Sequence, residues 1–154
     1  MNLSTASLRD SGFAARLRSL AQSMPGPAHA LWVEVPETAA VDHFDHVREL
    51  GRQLRPLGVR VGLEHAGARL GEIKRLLEAG LDYVKLDASV IHGIGGDSAR
   101  MAFLRGVVAM LHGLSVQVIA EGVCDEEESK AAWRAGVDGQ TGPWPSAQRS
   151  DLVG

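Results

Sequence analysis

The sequence predicts an α/β fold in which parallel strands alternate with amphipathic helices. Three observations predict it. Short apolar runs recur along the chain, each is followed by a stretch with apolar residues at helical spacing, and Gly or Pro marks the ends of the helical stretches. Such alternation implies parallel strands joined by right-handed crossovers.

Residues Met1–Ser4 read as the tail of a strand. Ser11 caps a helix to about Met24, with Phe13, Leu17 and Leu20 on one face, and Pro25-Gly26-Pro27 stops it. Ala30–Val35 is a strand with Glu34 and Glu37 at its end. Val41–Leu57 is helical, its stripe formed by Val41, Phe44, Val47, Leu50 and Leu54, and Pro56-Leu57-Gly58 end it. Val59–Leu63 is the next strand. Leu70–Ala79 is a helix with Ile73, Leu76 and Leu77 inward and Gly80 as its stop. Asp82–Leu86 is strand-like, Ala88–His92 a short helical turn, and Gly93–Gly96 a loop. Ser98–His112 is helical through Met101, Leu104, Val108 and Leu111. Val116–Ala120 is a strand, about Asp125 to Ala135 a helix, and Val137–Gln140 a last short strand. Beyond Pro143-Trp144-Pro145 periodicity fades, so residues 146–154 are expected to form a loose tail. About six strands result, including the stub at the start. A doubly wound sheet suits that number; a (β/α)₈ barrel needs two more units and ~250 residues.

Composition excludes several classes. At 154 residues, with 45% apolar and 23% charged residues, the chain can bury one sizeable core. A net charge of −3 leaves no basic footprint for a nucleic acid polymer. The single cysteine, Cys124, cannot form an internal disulfide, and no apolar run approaches the ~20 residues of a membrane span. A cytoplasmic location is the expectation.

Polar residues stand at the end of each strand: Asn2, Glu34 with Glu37, Glu64 with His65, Lys85 with Asp87, Glu121, and Thr141. Sites in α/β folds are assembled at that edge. One such residue alone reads as a solvated strand end, but six strand ends in a row favour a shared polar pocket over a polar rim. Carboxylate and amide oxygens are hard ligands for Mg²⁺ or Mn²⁺, and a lysine neutralises phosphate or positions water, which suggests metal-assisted phosphoester chemistry. Neither glycine pattern of a nucleotide-binding loop follows a strand. His43 and His46, beside Asp42 and Asp45, read as a solvated helix face before a metal site. Cys124 has no paired cysteine and reads as incidental.

In their order and spacing these strand ends resemble the EAL domain, the family of cyclic-di-GMP phosphodiesterases and related receptors. Met1-Asn2-Leu3-Ser4 is similar to the family's Asn-x-Ser and Glu34-Val35-Pro36-Glu37 to its Glu-x-Thr-Glu. Glu64-His65-Ala66-Gly67 stands where the family has Asp-Asp-Phe-Gly. Lys85-Leu86-Asp87 matches Lys-x-Asp, Ala120-Glu121-Gly122-Val123 matches Ala-Glu-Gly-Val, and Asp138–Gly142 falls on Asp-x-x-Gln-Gly. The resemblance covers residues 1 to about 145. It implies an incomplete TIM-like (β/α) barrel, with the first part, including the Glu-Ala-Leu motif, lying outside the chain. It places Asn2, Glu34 and Glu64 on metal positions, and Lys85 and Glu121 on catalytic positions. Glu37, Asp87 and Thr141 fall in the ligand pocket, Glu37 steadying the loop after the central acidic pair.

Departures from the pattern bear on activity. Glu64 is one methylene longer than the family's aspartate, and ångström-scale displacements cost on the order of 100-fold in rate. His65 replaces the second aspartate, and imidazole is a poor ligand for Mg²⁺. Ala68–Ile73 departs from the usual loop, Cys124 replaces a glutamate, and Thr141 a glutamine. With the metal centre altered at Glu64, His65, Cys124 and Thr141, the resemblance is to the degenerate EAL domains of LapD-like receptors. The expected function is catalytically inactive binding of cyclic-di-GMP, with no cofactor required and Mg²⁺ or Mn²⁺ possible. The alternatives are a weak Mn²⁺/Mg²⁺-dependent phosphodiesterase and a dimerisation module without nucleotide binding. Expected partners are a second copy of the chain and the other domains of a membrane-anchored parent receptor.

Overall fold

The computed structural model describes residues 1–24, 26 and 31–153, with side chains through 148. The fold is α/β, its five parallel strands alternating with helices. The chain divides into two compact units, Met1–Tyr83 and Val84–Gly154.

The first unit opens with α1 (Thr5–Arg9) and α2 (Phe13–Ser23), followed by β1 (Trp32–Pro36). Ser4 caps α1, its hydroxyl accepting from the Ser7 amide at 3.1 Å. The predicted stub at the start is a parallel bridge of Asn2 with Glu34, in which the Leu3 amide donates to Glu34 and the Glu34 amide to Met1, both at 2.8 Å. The strand predicted from Ala30 starts at Trp32; Ala30, and Pro25 and Pro27 of the predicted helix stop, lie outside the described residues. Next come α3 (Glu37–Asp42), α4 (Phe44–Leu54) and β2 (Arg60–Ala66), then α5 (Ile73–Leu77). β1 and β2 pair in parallel from Trp32 opposite Arg60 to Pro36 opposite Glu64. Val33, Val35, Val61 and Leu63 are buried together with Val47, Leu50 and Leu54 of α4.

Four expectations for this unit need correction. Ser11 does not cap α2: the N-cap position is Gly12, whose amide donates to the Asp10 carboxylate at 2.9 Å. The single helix predicted over Val41–Leu57 is two: the chain leaves helical geometry at His43 (φ −127°, ψ 48°), and α3 begins earlier, at Glu37. Leu20 faces solvent, because the buried positions of α2 are Leu17 and Ala21, four apart on one helical face. The helix predicted over Leu70–Ala79 opens as a 3₁₀ turn, Leu70–Glu72, before α5.

β3 (Tyr83–Leu86) begins at the last residue of the first unit. The second unit continues with α6 (Ala88–Ile91), α7 (Ser98–Gly113), β4 (Gln117–Ala120), α8 (Glu126–Ala135), β5 (Gly139–Gln140) and α9 (Pro143–Val153). β4 and β5 pair in parallel, Ile119 with Gly139 and Ala120 with Gln140. Asp97 and Asp125 cap α7 and α8, their carboxylates accepting from Arg100 and Glu128 amides at 3.0 and 2.9 Å. Glu126, Glu127 and Glu128 favour the positive end of α8. Leu104, Val108 and Leu111 of α7 are buried with Val118, Ala131, Ala132 and Ala135. Residues 146–153, expected to be loose, continue a helix that Pro143 starts, a position where its missing N–H costs nothing.

One device recurs in both units. The Asp82 carboxylate accepts from the Val61 amide at 2.8 Å while its own amide donates to the Val61 carbonyl at 2.7 Å. Asp138 holds Val118 in the same way, at 2.8 and 2.7 Å. The local sequences match as well: Ala79-Gly80-Leu81-Asp82 and Ala135-Gly136-Val137-Asp138. Each glycine is left-handed (φ 81° and 99°) just after a helix, and each aspartate then joins the start of a strand to its predecessor.

Candidate ligand and metal site

In the first unit the strand ends bring Asn2, Glu34, Glu64 and His65 together. Glu34 lies opposite Gly62 in the β1–β2 register, so the period of two along a strand puts Glu34, Gly62 and Glu64 on one face. Both carboxylates are buried, Glu34 to 9% and Glu64 to 8% exposure.

Tyr83 covers that face. A Cβ on Gly62 would lie 2.5 Å from the Tyr83 ring, so only glycine lets the ring rest against β2. The ring also stacks at a tilt on Trp32, with centroids 4.7 Å apart, and its hydroxyl donates to the Val33 carbonyl at 3.3 Å. Burial, followed by the charge of Glu34 and a hydrogen bond with it, then Glu64 and Asp82, pushes the phenol well above its ordinary value. Nothing in the spacing of the strand ends points to Tyr83 or Gly62. The available signal is an aromatic residue at the head of the strand that carries Lys85.

His65 adopts a left-handed backbone (φ 52°), uncommon for a residue other than glycine and better tolerated by His, Asn and Asp than by most. Its side chain is 64% exposed, with Nε2 4.0 Å from the Glu64 carboxylate. Glu37 is buried at the first turn of α3, and its carboxylate accepts from the Gly67 amide at 2.9 Å and the Arg69 amide at 2.8 Å. These donors are backbone groups, so the unusual sequence of the following loop leaves them available. Arg69 adds an ion pair to Glu72 and another to Asp42 at 2.8 Å, which in that order hold its guanidinium pKa above the usual range.

In the second unit Lys85, Asp87, Glu121 and Thr141 stand at the ends of β3, β4 and β5. Asp87 caps α6, accepting from the Ser89 amide at 3.0 Å. The Glu121 amide donates to the Leu86 carbonyl at 2.9 Å and the Thr141 amide to Ala120 at 2.8 Å. Thr141 is exposed, and its carbonyl accepts from Val123 at 3.0 Å. Gly142 (φ 135°) is required there, because a Cβ would meet the Val123 backbone at 2.5 Å.

The EAL domain family profile matches residues 1–147. The chain belongs to the EAL domain family. The cyclic di-GMP phosphodiesterase PdeR of Escherichia coli (strain K12) is 25% identical over 142 residues, 92% of this chain and 22% of PdeR. Among solved structures, Klebsiella pneumoniae BlrP1 in a manganese/cyclic-di-GMP complex is 26% identical with a TM-score of 0.75, over 89% of this chain and 35% of BlrP1. The S helix-GGDEF-EAL region of Vibrio cholerae LapD, bound to cyclic-di-GMP, superposes with a TM-score of 0.79 at 20% identity, over 88% of this chain and 33% of that one. The chain therefore spans a minor part of each, and the likeness to LapD shows the fold alone. As an EAL domain it has the α/β architecture of that family's TIM-like barrel. Among the described residues no helix is long and apolar enough to cross a membrane.

For Mg²⁺ or Mn²⁺, the donor set of the first unit fits in part. Asn2, Glu34 and Glu64 supply the hard oxygens these ions take, at adjoining strand ends. His65 supplies a nitrogen on a largely exposed ring, which suits neither ion as well as a carboxylate.

Proposed function

We propose that this EAL domain binds cyclic-di-GMP as a signalling receptor without cleaving it. The observation that carries this reading is the end of β2. Two buried carboxylates, Glu34 and Glu64, remain on one face, while an exposed imidazole on a left-handed backbone, His65, follows them where the family pattern has an aspartate. Asn2, Glu34 and Glu64 would hold one hard divalent ion, and such an ion would neutralise phosphate charge. A second ion, which two-metal hydrolysis uses to ready the attacking oxygen, lacks its carboxylate. Lys85 and Glu121 keep the family's residue types at the catalytic positions, and Glu37 and Asp87 at ligand-pocket positions, where Thr141 replaces a glutamine; without the second divalent ion these groups would serve recognition of the dinucleotide rather than cleavage.

Relatives named for phosphodiesterase activity and neighbours solved with cyclic-di-GMP support the ligand class. Titration calorimetry with cyclic-di-GMP, paired with chromatography after incubation with Mn²⁺, tests the reading. Binding heat with uncleaved dinucleotide is the expected result. A linear product would establish the weak phosphodiesterase instead, and no heat would remove nucleotide binding.

A second reading, self-association through α7, has its own observation. Phe103, Met110 and Leu114 are exposed at 60%, 36% and 54%, spaced so that they share one side of the helix. Light scattering would detect the second copy, and a monomeric mass at all concentrations would exclude it.

A further inference from the structure

In the second unit, three metal-ligating side chains of different chemistry meet beside the loop that leaves β4, none of them among Lys85, Asp87, Glu121 and Thr141. His92 follows α6, its amide closing the last turn on the Ala88 carbonyl at 2.9 Å. Cys124 lies in the loop between β4 and α8, and Glu128 in the first turn of α8. One ligand atom from each lies within 4.8 Å of the others. His92 Nδ1 stands 2.5 Å from Glu128 Oε1, and Glu128 Oε2 accepts from the Cys124 amide at 2.9 Å. That second bond fixes the carboxylate in place beside the thiol. Cys124 is exposed, the His92 side chain is 51% accessible, and that of Glu128 is 14% accessible.

We propose that His92, Cys124 and Glu128 form a three-ligand site for a thiophilic divalent cation of the zinc class. A tetrahedral Zn²⁺ takes sulfur at about 2.3 Å and nitrogen or oxygen at about 2.0–2.2 Å, which sets its ligands roughly 3.5 Å apart. The three donors already lie within 4.8 Å of one another, and coordination would ask His92 Nδ1 and Glu128 Oε1 to move apart from 2.5 Å and the Cys124 thiol to leave the Gly122 carbonyl, to which it donates at 3.2 Å. Glu128 gives Oε1 to the ion and keeps Oε2 on the Cys124 amide, so the start of α8 is undisturbed. The thiol proton leaves to solvent as the thiolate coordinates. The exposed side of the imidazole and thiol leaves the fourth position to water. Thiolate and imidazole together select Zn²⁺ or Co²⁺ over Mg²⁺, so this site does not compete for the ion that suits Asn2, Glu34 and Glu64. The simpler account, a His92–Glu128 ion pair beside an unrelated thiol, predicts no metal binding and is what the experiment must defeat.

Co²⁺ titration of the 154-residue chain tests the site, because Cys124 is its one cysteine and any thiolate-to-cobalt charge-transfer band must come from it. The expected result is a near-ultraviolet band that saturates at one Co²⁺ per chain at unchanged molecular mass. It should be displaced by Zn²⁺ and unaffected by excess Mg²⁺. Cys124→Ser abolishes the band, and the exposed position His92→Ala weakens Co²⁺ binding at least tenfold. Glu128→Gln, which keeps an oxygen for the Cys124 amide, weakens it as well, with circular dichroism verifying that each variant is folded. Absence of the band in the wild-type chain overturns the proposal. So does a band whose affinity is unchanged in both His92→Ala and Glu128→Gln, or one that requires two chains per ion.

Discussion

Tyr83 and Gly62 show how one residue's absence makes room for another's chemistry. Gly62→Ala puts a methyl group 2.5 Å from the Tyr83 ring, and the ring cannot yield without uncovering Glu34 and Glu64. Overpacking of this kind costs about 1–3 kcal/mol, so urea unfolding should show a lower midpoint with an unchanged slope. Tyr83 is the one tyrosine, so ultraviolet titration of the folded chain reads its phenol alone. Its folded pKa is raised above the ordinary 10.0, so the native state holds its proton longer than the unfolded state. The resulting stabilisation is complete below pH 10 and is lost as pH rises past that value toward the folded pKa. The expected outcome is a phenol that resists ionisation past pH 10 in buffer but titrates near 10 in denaturant; equal titration in both would refute the environment described for it. At His65 the left-handed backbone predicts that Asn or Gly is tolerated, whereas a β-branched Val strains the turn and lowers the melting temperature.

At the scale of elements, the paired clamps of Asp82 and Asp138 predict a matched pair of effects. Asp82→Ala leaves the Val61 amide without its carboxylate, and Asp138→Ala does the same to Val118. An unsatisfied buried amide costs about 1–3 kcal/mol. Calorimetric melts should show both variants destabilised, with Asn retaining part of each bond; a silent substitution at either position would show that water replaces the carboxylate. Strands and helices were legible because apolar runs and 3.6-residue stripes record which face is buried, as for Val33, Val35, Val47, Leu50 and Leu54. The break at His43 was not, since Val41 and Phe44 both continue the stripe while the reason for the break, α3 starting at Glu37, lies in the fold. The helix from Pro143 was invisible for the opposite reason: it has no apolar face for periodicity to report.

At the scale of the whole molecule, the order of polar strand ends carried more of the candidate site than any single motif. Asn2, Glu34 and Glu64 could be read as neighbours because parallel strands place their ends at one edge. What the sequence withheld was the cover: Tyr83 reaches Glu34 and Glu64 through a space that only Gly62 leaves open, and spacing records no such space. Two places are proposed for divalent ions, one of hard oxygens and one of His92, Cys124 and Glu128, and they must be separated to be measured. Ion binding to the native state alone stabilises the fold by about 2.7 kcal/mol at a hundred times its dissociation constant. In a His92→Ala background, Mn²⁺ should therefore still raise the melting temperature through Asn2, Glu34 and Glu64, and EDTA should reverse the rise. Glu64→Gln in the same background removes a carboxylate donor while preserving the side chain's shape, so the Mn²⁺-dependent rise should shrink or vanish. A rise of equal size in Glu64→Gln would mean that the hard-oxygen set at the ends of β1 and β2 is not where the ion binds.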